Sequence, residues 1–425
     1  MIDTKKAYRS WALYDWANSA FATTVMAGFF PIFFKKYWAD PENLTQSTYY
    51  LGLANSIASI LVAAIAPFLG AIADRGTTKK KFLFTFAFLG IIMTGGLWMV
   101  AQGQWQIAIL FYILATVGFS GGNIFYDSLL PGVASKKKVD YVSSLGFGLG
   151  YLGGGVLFLI NVLMYQMPEM FGIANGATAI RLSFLSVAIW WAVFSIPIFL
   201  WVEEPKIYKK VGIIKSVSLG WNQLAGTIRD IKHLKVVGLF LFAYWFYIDG
   251  VDTIVRMAVD IGVTLGFDDS ALIIALLMVQ FIAFPCTLLF AKYSNKVGLK
   301  KAIMTGIIGY GVITFLGYFM TQTWHFFILA GMIGLFQGGI QALSRSLYTR
   351  LIPKEKAAEF FGFYNMLGKF AAVIGPFMLG TITVITGNVR YGILSILILF
   401  IIGGFLLIKV DIEEGEKMAK EYLAK

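Results

Sequence analysis

Apolar residues run through this chain in long blocks separated by short polar ones. Twelve blocks, at about 10–34, 48–72, 82–101, 105–130, 141–166, 180–202, 236–258, 270–291, 302–321, 325–351, 361–386 and 390–409, are each long enough to cross a ~30 Å hydrocarbon core as a helix. Blocks 3, 6, 9 and 12 hold no ionisable residue in their interiors, whereas blocks 1, 4, 7, 10 and 11 do. A charge in a bilayer is costly and should face protein or a water-filled cavity. The pattern predicts an all-α membrane protein with four lipid-facing helices around a polar centre.

Composition agrees. Apolar residues make up 58% of the chain and charged residues only 14%, too little charge for the surface of a soluble domain. The net charge of +12 taken alone suggests a nucleic-acid partner. Its distribution argues against one. With an even number of spans, 29 of the 35 Lys and Arg fall on the face that carries both termini. Lys35, Lys36, Arg181 and Arg390 lie on the other face, and Arg256 and Lys369 within spans. This positive-inside bias predicts cytoplasmic termini, with the basic residues meeting anionic lipid headgroups. The first apolar block is too long for the core of a secretion signal and is expected to stay as an anchor. Cys286 is the sole cysteine, which excludes an internal disulfide.

The segment Glu203–Lys235 is the one long polar interruption. It divides the chain into an expected N-terminal six-helix bundle (1–202), a cytoplasmic linker (203–235), and a C-terminal six-helix bundle with a short tail (236–425). A weak internal repeat supports the division. Asp74, Arg75, Lys79 and Lys80 between blocks 2 and 3 align with Asn295, Lys296, Lys300 and Lys301 between blocks 8 and 9 at one offset, and Leu149-Gly150 in block 5 matches Leu367-Gly368 in block 11.

The stretch from Gly70 through Asp74-Arg75-Gly76 to Lys79-Lys80 resembles the G-x-x-x-D-R-x-G-x-[RK]-[RK] signature of the major facilitator superfamily, with Gly76 one position early. Four further segments resemble one branch of it, the vacuolar amino-acid effluxers of fungi and their bacterial relatives. They are Trp11 to Phe21, with Tyr14-Asp15-Trp16 and Asn18-Ser19; Asn123 to Pro131, with Tyr126-Asp127; Gln337 to Ser346, with Gln341 and Ser344-Arg345; and Phe360 to Phe370, with Tyr364-Asn365 and Lys369. The resemblance implies twelve helices in two pseudo-symmetric six-helix bundles that transport by alternating access. It also implies gating roles for Gly70, Asp74, Arg75, Asp127, Asn295, Lys296 and Arg345, with Asp74 paired to the facing half and Arg75 to Asp127.

Polar residues inside the spans are the candidates for substrate binding or coupling. Asp15 and Asn18 share a helix face. Asp249, Asp252, Arg256 and Asp260 form one stripe on block 7, where Asp252 and Arg256 have the spacing of an intrahelical ion pair. That leaves Asp249 as a candidate proton carrier. Lys369 lies deep in block 11 and either pairs with Asp15 or an acid of block 7, or receives an anionic substrate group. Asn365 shares its face, and Gln337 and Gln341 repeat the four-residue spacing on block 10. The mixed charge favours a small zwitterion or anion.

No phosphate-binding loop, histidine metal cluster or protease aspartate pair is visible. Enzymatic activity, a cofactor and a resident metal are therefore not expected. The expected protein is a monomeric, multi-pass secondary transporter of a small solute, with H+ as coupling ion, in a bacterial cytoplasmic membrane. Efflux of drugs or other metabolites is the nearest alternative, and a non-transporting membrane sensor the alternative of another class.

Overall fold

The computed structural model describes residues 3–39, 44–74, 78–204 and 234–422. Its long helices are α1 (Lys5–Trp38), α2 (Leu44–Asp74), α3 (Lys79–Met99), α4 (Trp105–Val133), α5 (Val139–Gln166), α6 (Gly176–Trp201), α7 (Lys235–Thr264), α8 (Asp269–Val297), α9 (Leu299–Gly317), α10 (Thr323–Leu351), α11 (Ala357–Thr386) and α12 (Val389–Ile408), followed by a short α13 (Ile412–Tyr422). No strand occurs among the described residues. Ten of these helices are long and apolar enough to span a membrane by length and composition. The other two, α2 and α11, carry shorter apolar stretches, Leu53–Ala66 and Ile374–Thr386, within helices of 31 and 30 residues. Most of the expected linker, 205–233, lies outside the described residues.

Local chemistry sets the helix ends. Thr4, Asn175, Asp268 and Asn388 accept hydrogen bonds from backbone N–H groups of the first turns of α1, α6, α8 and α12. In α1 the backbone widens to π geometry over Phe21–Phe29 and Phe34–Trp38, on either side of Pro31. Proline removes a donor and crowds the preceding turn, so the helical ladder must adjust around it.

Buried apolar side chains form two cores, one drawn almost wholly from α1–α6 and one from α7–α12. The helices without interior charge, α3, α6, α9 and α12, pack chiefly within their own half. Their outer faces show apolar stripes at helical spacing: Phe84, Phe88 and Ile92; Ile189, Val193 and Ile196; Ile308, Val312 and Phe315; Ile398, Ile401 and Phe405. The halves meet where α2 packs on α11 and α5 on α8, with α5 also touching α10 and α4 touching α11. Glycines let α5 lie close against α1: a Cβ at Gly150 would stand 2.6 Å from Ser19 Oγ, and one at Gly153 2.6 Å from the Trp16 carbonyl.

The repeat has a structural counterpart. Lys80 Nζ donates to the carbonyls of Phe199 (2.6 Å) and Val202 (2.8 Å), closing the end of α6. Lys300 Nζ does the same at the end of α12, to Ile408 (2.6 Å) and Val410 (2.8 Å). At the opposite face Arg181 binds the Trp98 carbonyl and Arg390 that of Met320. These contacts correct the alignment read from the sequence. Its offset suits α2 and α8, where Leu51, Ala54 and Ala58 are buried like Leu272, Ala275 and Val279. Beyond the loop the counterpart of Lys80 is Lys300, not Lys301, because the second loop is one residue shorter.

Candidate functional site: a buried ion cluster between the halves

Arg345 on α10 is the centre of the junction and is 3% exposed. Its Nη1 lies 3.0 Å from Asp127 Oδ1 on α4, and both Nη1 and Nη2 lie 3.4 Å from Asp15 Oδ2 on α1. Its Nε donates to Ser143 Oγ (3.0 Å) and Nη2 to the Ser143 carbonyl (2.9 Å) on α5. One guanidinium of the C-terminal half is thus gripped by three helices of the N-terminal half. Its planar fork of donors suits this, since it can serve several acceptors at once.

Aromatic rings wall the cluster from lipid and water. The Arg345 guanidinium sits 4.9 Å from the Trp11 ring and 4.1 Å from the Phe147 ring. Trp11 stacks on Tyr126 at 4.3 Å and donates its indole N–H to the Tyr126 carbonyl. The Tyr126 hydroxyl donates to Asp15 Oδ2 at 2.8 Å. Asn365 on α11 donates to Asp127 Oδ2 at 3.4 Å and to the Phe361 carbonyl at 3.0 Å.

Further ties surround this centre on the face that carries both chain ends. Arg350 Nη2 meets Asp140 Oδ2 at 2.7 Å, and the Ser346 hydroxyl donates to the other oxygen of Asp140. Asp74 accepts the backbone N–H groups of Ala358 (3.0 Å) and Glu359 (2.8 Å) at the start of α11, and pairs with Lys79 Nζ at 2.7 Å. A carboxylate at a helix N-terminus is favoured by the unpaired amides and the helix dipole. Gly70, one turn earlier, lets α2 approach: a Cβ there would lie 2.3 Å from the Ala358 carbonyl oxygen. Lys136 pairs with Glu416 of α13 at 2.6 Å. This face is closed.

Several expected residues lie elsewhere. Asp249 is fully buried on α7 and accepts the Gly375 N–H at 3.1 and 3.0 Å and the Thr253 hydroxyl at 3.3 Å. Asp252 and Arg256 form the i,i+4 pair, loosely at 3.8 Å, and both are partly exposed. Asn18 donates to Asn123 Oδ1 at 2.6 Å. Gln341 accepts from the Tyr151 hydroxyl, a bond between the halves. Gln337 is buried in the C-terminal half. Asn295 and Lys296 are exposed, so they do not repeat the buried role of Asp74.

Two expected pairings need comment. The resemblance implies that Arg75 pairs with Asp127; among the described residues the cation on Asp127 is Arg345, which reaches it across the junction. Arg75 lies outside the described residues, as does the side chain of Lys369. The described cation beside Asp15 is Arg345. Ser143, Asp140 and the Gly375 amide carry no signal in the sequence, because their part depends on how helices rotate against one another. Pro376 lies inside α11 beside Gly375, where it removes one backbone donor from the helical ladder.

The sequence profile of the family described as "Vacuole effluxer Atg22 like" matches residues 42–420. The chain belongs to the Atg22-like family. It is 38% identical over 418 residues to the MFS-type transporter YxiO of Bacillus subtilis (strain 168), covering 98% of this chain and 97% of that one. It is 23% identical over 465 residues to autophagy-related protein 22 of Yarrowia lipolytica (strain CLIB 122 / E 150), covering 87% and 76%. Among solved structures, the human organic anion transporter MFSD10 (TETRAN) superposes with a TM-score of 0.73 at 12% identity, covering 96% of this chain and 100% of that one. The proton:xylose symporter XylE bound to 6-bromo-6-deoxy-D-glucose gives 0.72 at 15% identity, covering 99% and 98%. At such identities the likeness establishes the fold alone. This Atg22-like chain is a multi-pass membrane transporter of the major facilitator superfamily, and its family and fold are those of transporters rather than enzymes.

Proposed function

We propose that this Atg22-like protein is a secondary active transporter that carries an amino acid or a related small zwitterion or anion by alternating access, coupled to protons. The observation that carries the reading is the Arg345–Asp15–Asp127 cluster, a buried ionic junction between halves that must part if the closed face is to open. The positive-inside bias supports a cytoplasmic position for the closed face. The partly exposed Asp252–Arg256 pair, 3.8 Å apart, offers both signs of charge to a zwitterion. Asp249, whose described hydrogen-bond donors are neutral, is the proton site in this reading.

The test is uptake of pooled labelled amino acids into proteoliposomes with and without an imposed pH gradient, for wild type, Asp15→Asn and Asp249→Asn. Gradient-driven uptake in the wild type that loses its dependence on the gradient in either variant is the expected result. Full gradient-driven transport in both variants overturns proton coupling through these acids. No uptake of any amino acid by active vesicles overturns the substrate class.

A further inference from the structure

Helices α5 and α10 meet across the junction in antiparallel register, joined by a ladder of polar ties. Nearest the chain ends, Asp140 takes Ser346 and Arg350. Further in, the Ser143 hydroxyl donates to the Ala342 carbonyl at 2.7 Å and accepts from Arg345 Nε at 3.0 Å. The last tie is the Tyr151 hydroxyl donating to Gln341 Oε1. Between the last two the register is regular. Phe147 covers the Arg345 guanidinium at 4.1 Å. Tyr151 is four residues after Phe147 and Gln341 four before Arg345, so each lies one turn, about 6 Å, further from the closed face. Gly338 makes room for the ring: a Cβ there would stand 2.9 Å from Tyr151 Cε2.

This last tie differs from the others. Asp140, Ser143, Arg345 and Ser346 are buried, whereas Tyr151 and Gln341 are each partly exposed. Gln341 shares its helix face with Arg345, and Tyr151 with Phe147, so the exposed part faces the gap between the halves. The counterpart amide in the other half is turned inward. Helices α4 and α10 start 218 residues apart and end 218 residues apart. That makes Asn123 the equivalent of Gln341, and Asn123 accepts from Asn18 of its own half at 2.6 Å.

We propose that Tyr151 senses substrate by exchanging its hydrogen bond to Gln341 for one to the molecule carried, an inference that rests on the transport reading. One O–H donor facing one carbonyl acceptor is a pair that an amino acid can enter. Its carboxylate accepts from the Tyr151 hydroxyl and its ammonium group donates to Gln341 Oε1, so neither protein group is left unsatisfied. A molecule with only one of these functions leaves one member of the pair without a partner and is discriminated against. Entry of the substrate spreads the outermost tie, and the Phe147–Arg345 layer beneath it is the next to part. The Asp252–Arg256 pair supplies charge that attracts the same molecule, while the tie reads its donor and acceptor together.

The experiment uses the full chain in nanodiscs, with Cys286→Ser and spin labels on Lys137→Cys and Glu355→Cys, exposed positions on opposite halves at the closed face. The probes are an equimolar pool of L-amino acids and the matched pool of amines that lack the carboxylate. In this parent protein a longer distance population should grow with the amino-acid pool, and with the amine pool only at about three- to tenfold higher concentration. Tyr151→Phe keeps the ring and removes the donor. It should raise the longer population without any probe and should respond to both pools at the same concentration. The proposal is overturned if the parent does not respond to the amino-acid pool, if Tyr151→Phe has the parent's distances, or if it keeps the parent's preference between pools. Amino-acid uptake in proteoliposomes without a distance response removes the sensing role and spares the transport reading; neither uptake nor response removes both. Should Tyr151→Phe not fold, Gln341→Leu breaks the same tie from the other side, and parental distances in that variant overturn the proposal.

Discussion

Arg345 holds two carboxylates from the other half, so its removal strands two buried charges rather than one. Losing one partner of a buried ion pair costs about 3–5 kcal/mol, mostly the desolvation of what is left behind. Arg345→Ala should therefore destabilise the closed face by that order. Spin labels on α4 and α10 at the terminus-bearing face should report a longer distance population; an unchanged distribution would show that the cluster does not hold the face shut. The Lys136–Glu416 pair makes a useful contrast. Its side chains are 40% and 25% exposed, and pairs in contact with water are worth about 0–1 kcal/mol. Glu416→Gln should leave the same distances and the melting temperature nearly unchanged, and a large shift would mean that α13 latches the halves more firmly than a surface pair can.

At the scale of elements, the contact between α2 and α11 depends on what is missing from Gly70. A side chain there would run into the backbone of Ala358, which cannot move aside as a flexible side chain can. Gly70→Val should force the helix ends apart and break the amide bonds to Asp74. Cross-linking between cysteines placed at these two ends should fall sharply, while the fold of each half persists. Efficient cross-linking in the variant would show that the approach is not required. The same contact shows how much of an element could be read beforehand. The residues of the loop signature were visible in the chain, and so was the expectation that Asp74 faces the other half. That Asp74 binds two backbone amides was not, because amides carry no signature in a sequence.

For the whole molecule, the two cores and the four outward apolar stripes follow from a solvent that tolerates no buried charge without a partner. The closed face results from short reach: the ion cluster, the Asp140 network and the Asp74 amide bonds all lie toward the chain ends, so the halves converge there. Alternating access in such an arrangement amounts to rocking one half on the other, with these contacts as the stops.

The sequence alone determined the all-helical class, the order of the long apolar helices and the set of polar residues within them. Each of these rests on local composition and helical period, which the bilayer selects directly. Only the tertiary structure decided which charges meet. Asp127 binds Arg345 across the junction, and Asp15 and Asp249 sit in separate networks. Such choices depend on helix rotation and on the depth at which side chains from distant spans reach the same point. The closure of the end of α6 by Lys80 and of the end of α12 by Lys300 belongs to the same class. Each arises from packing between segments far apart in the chain, where no single stretch of sequence holds the information.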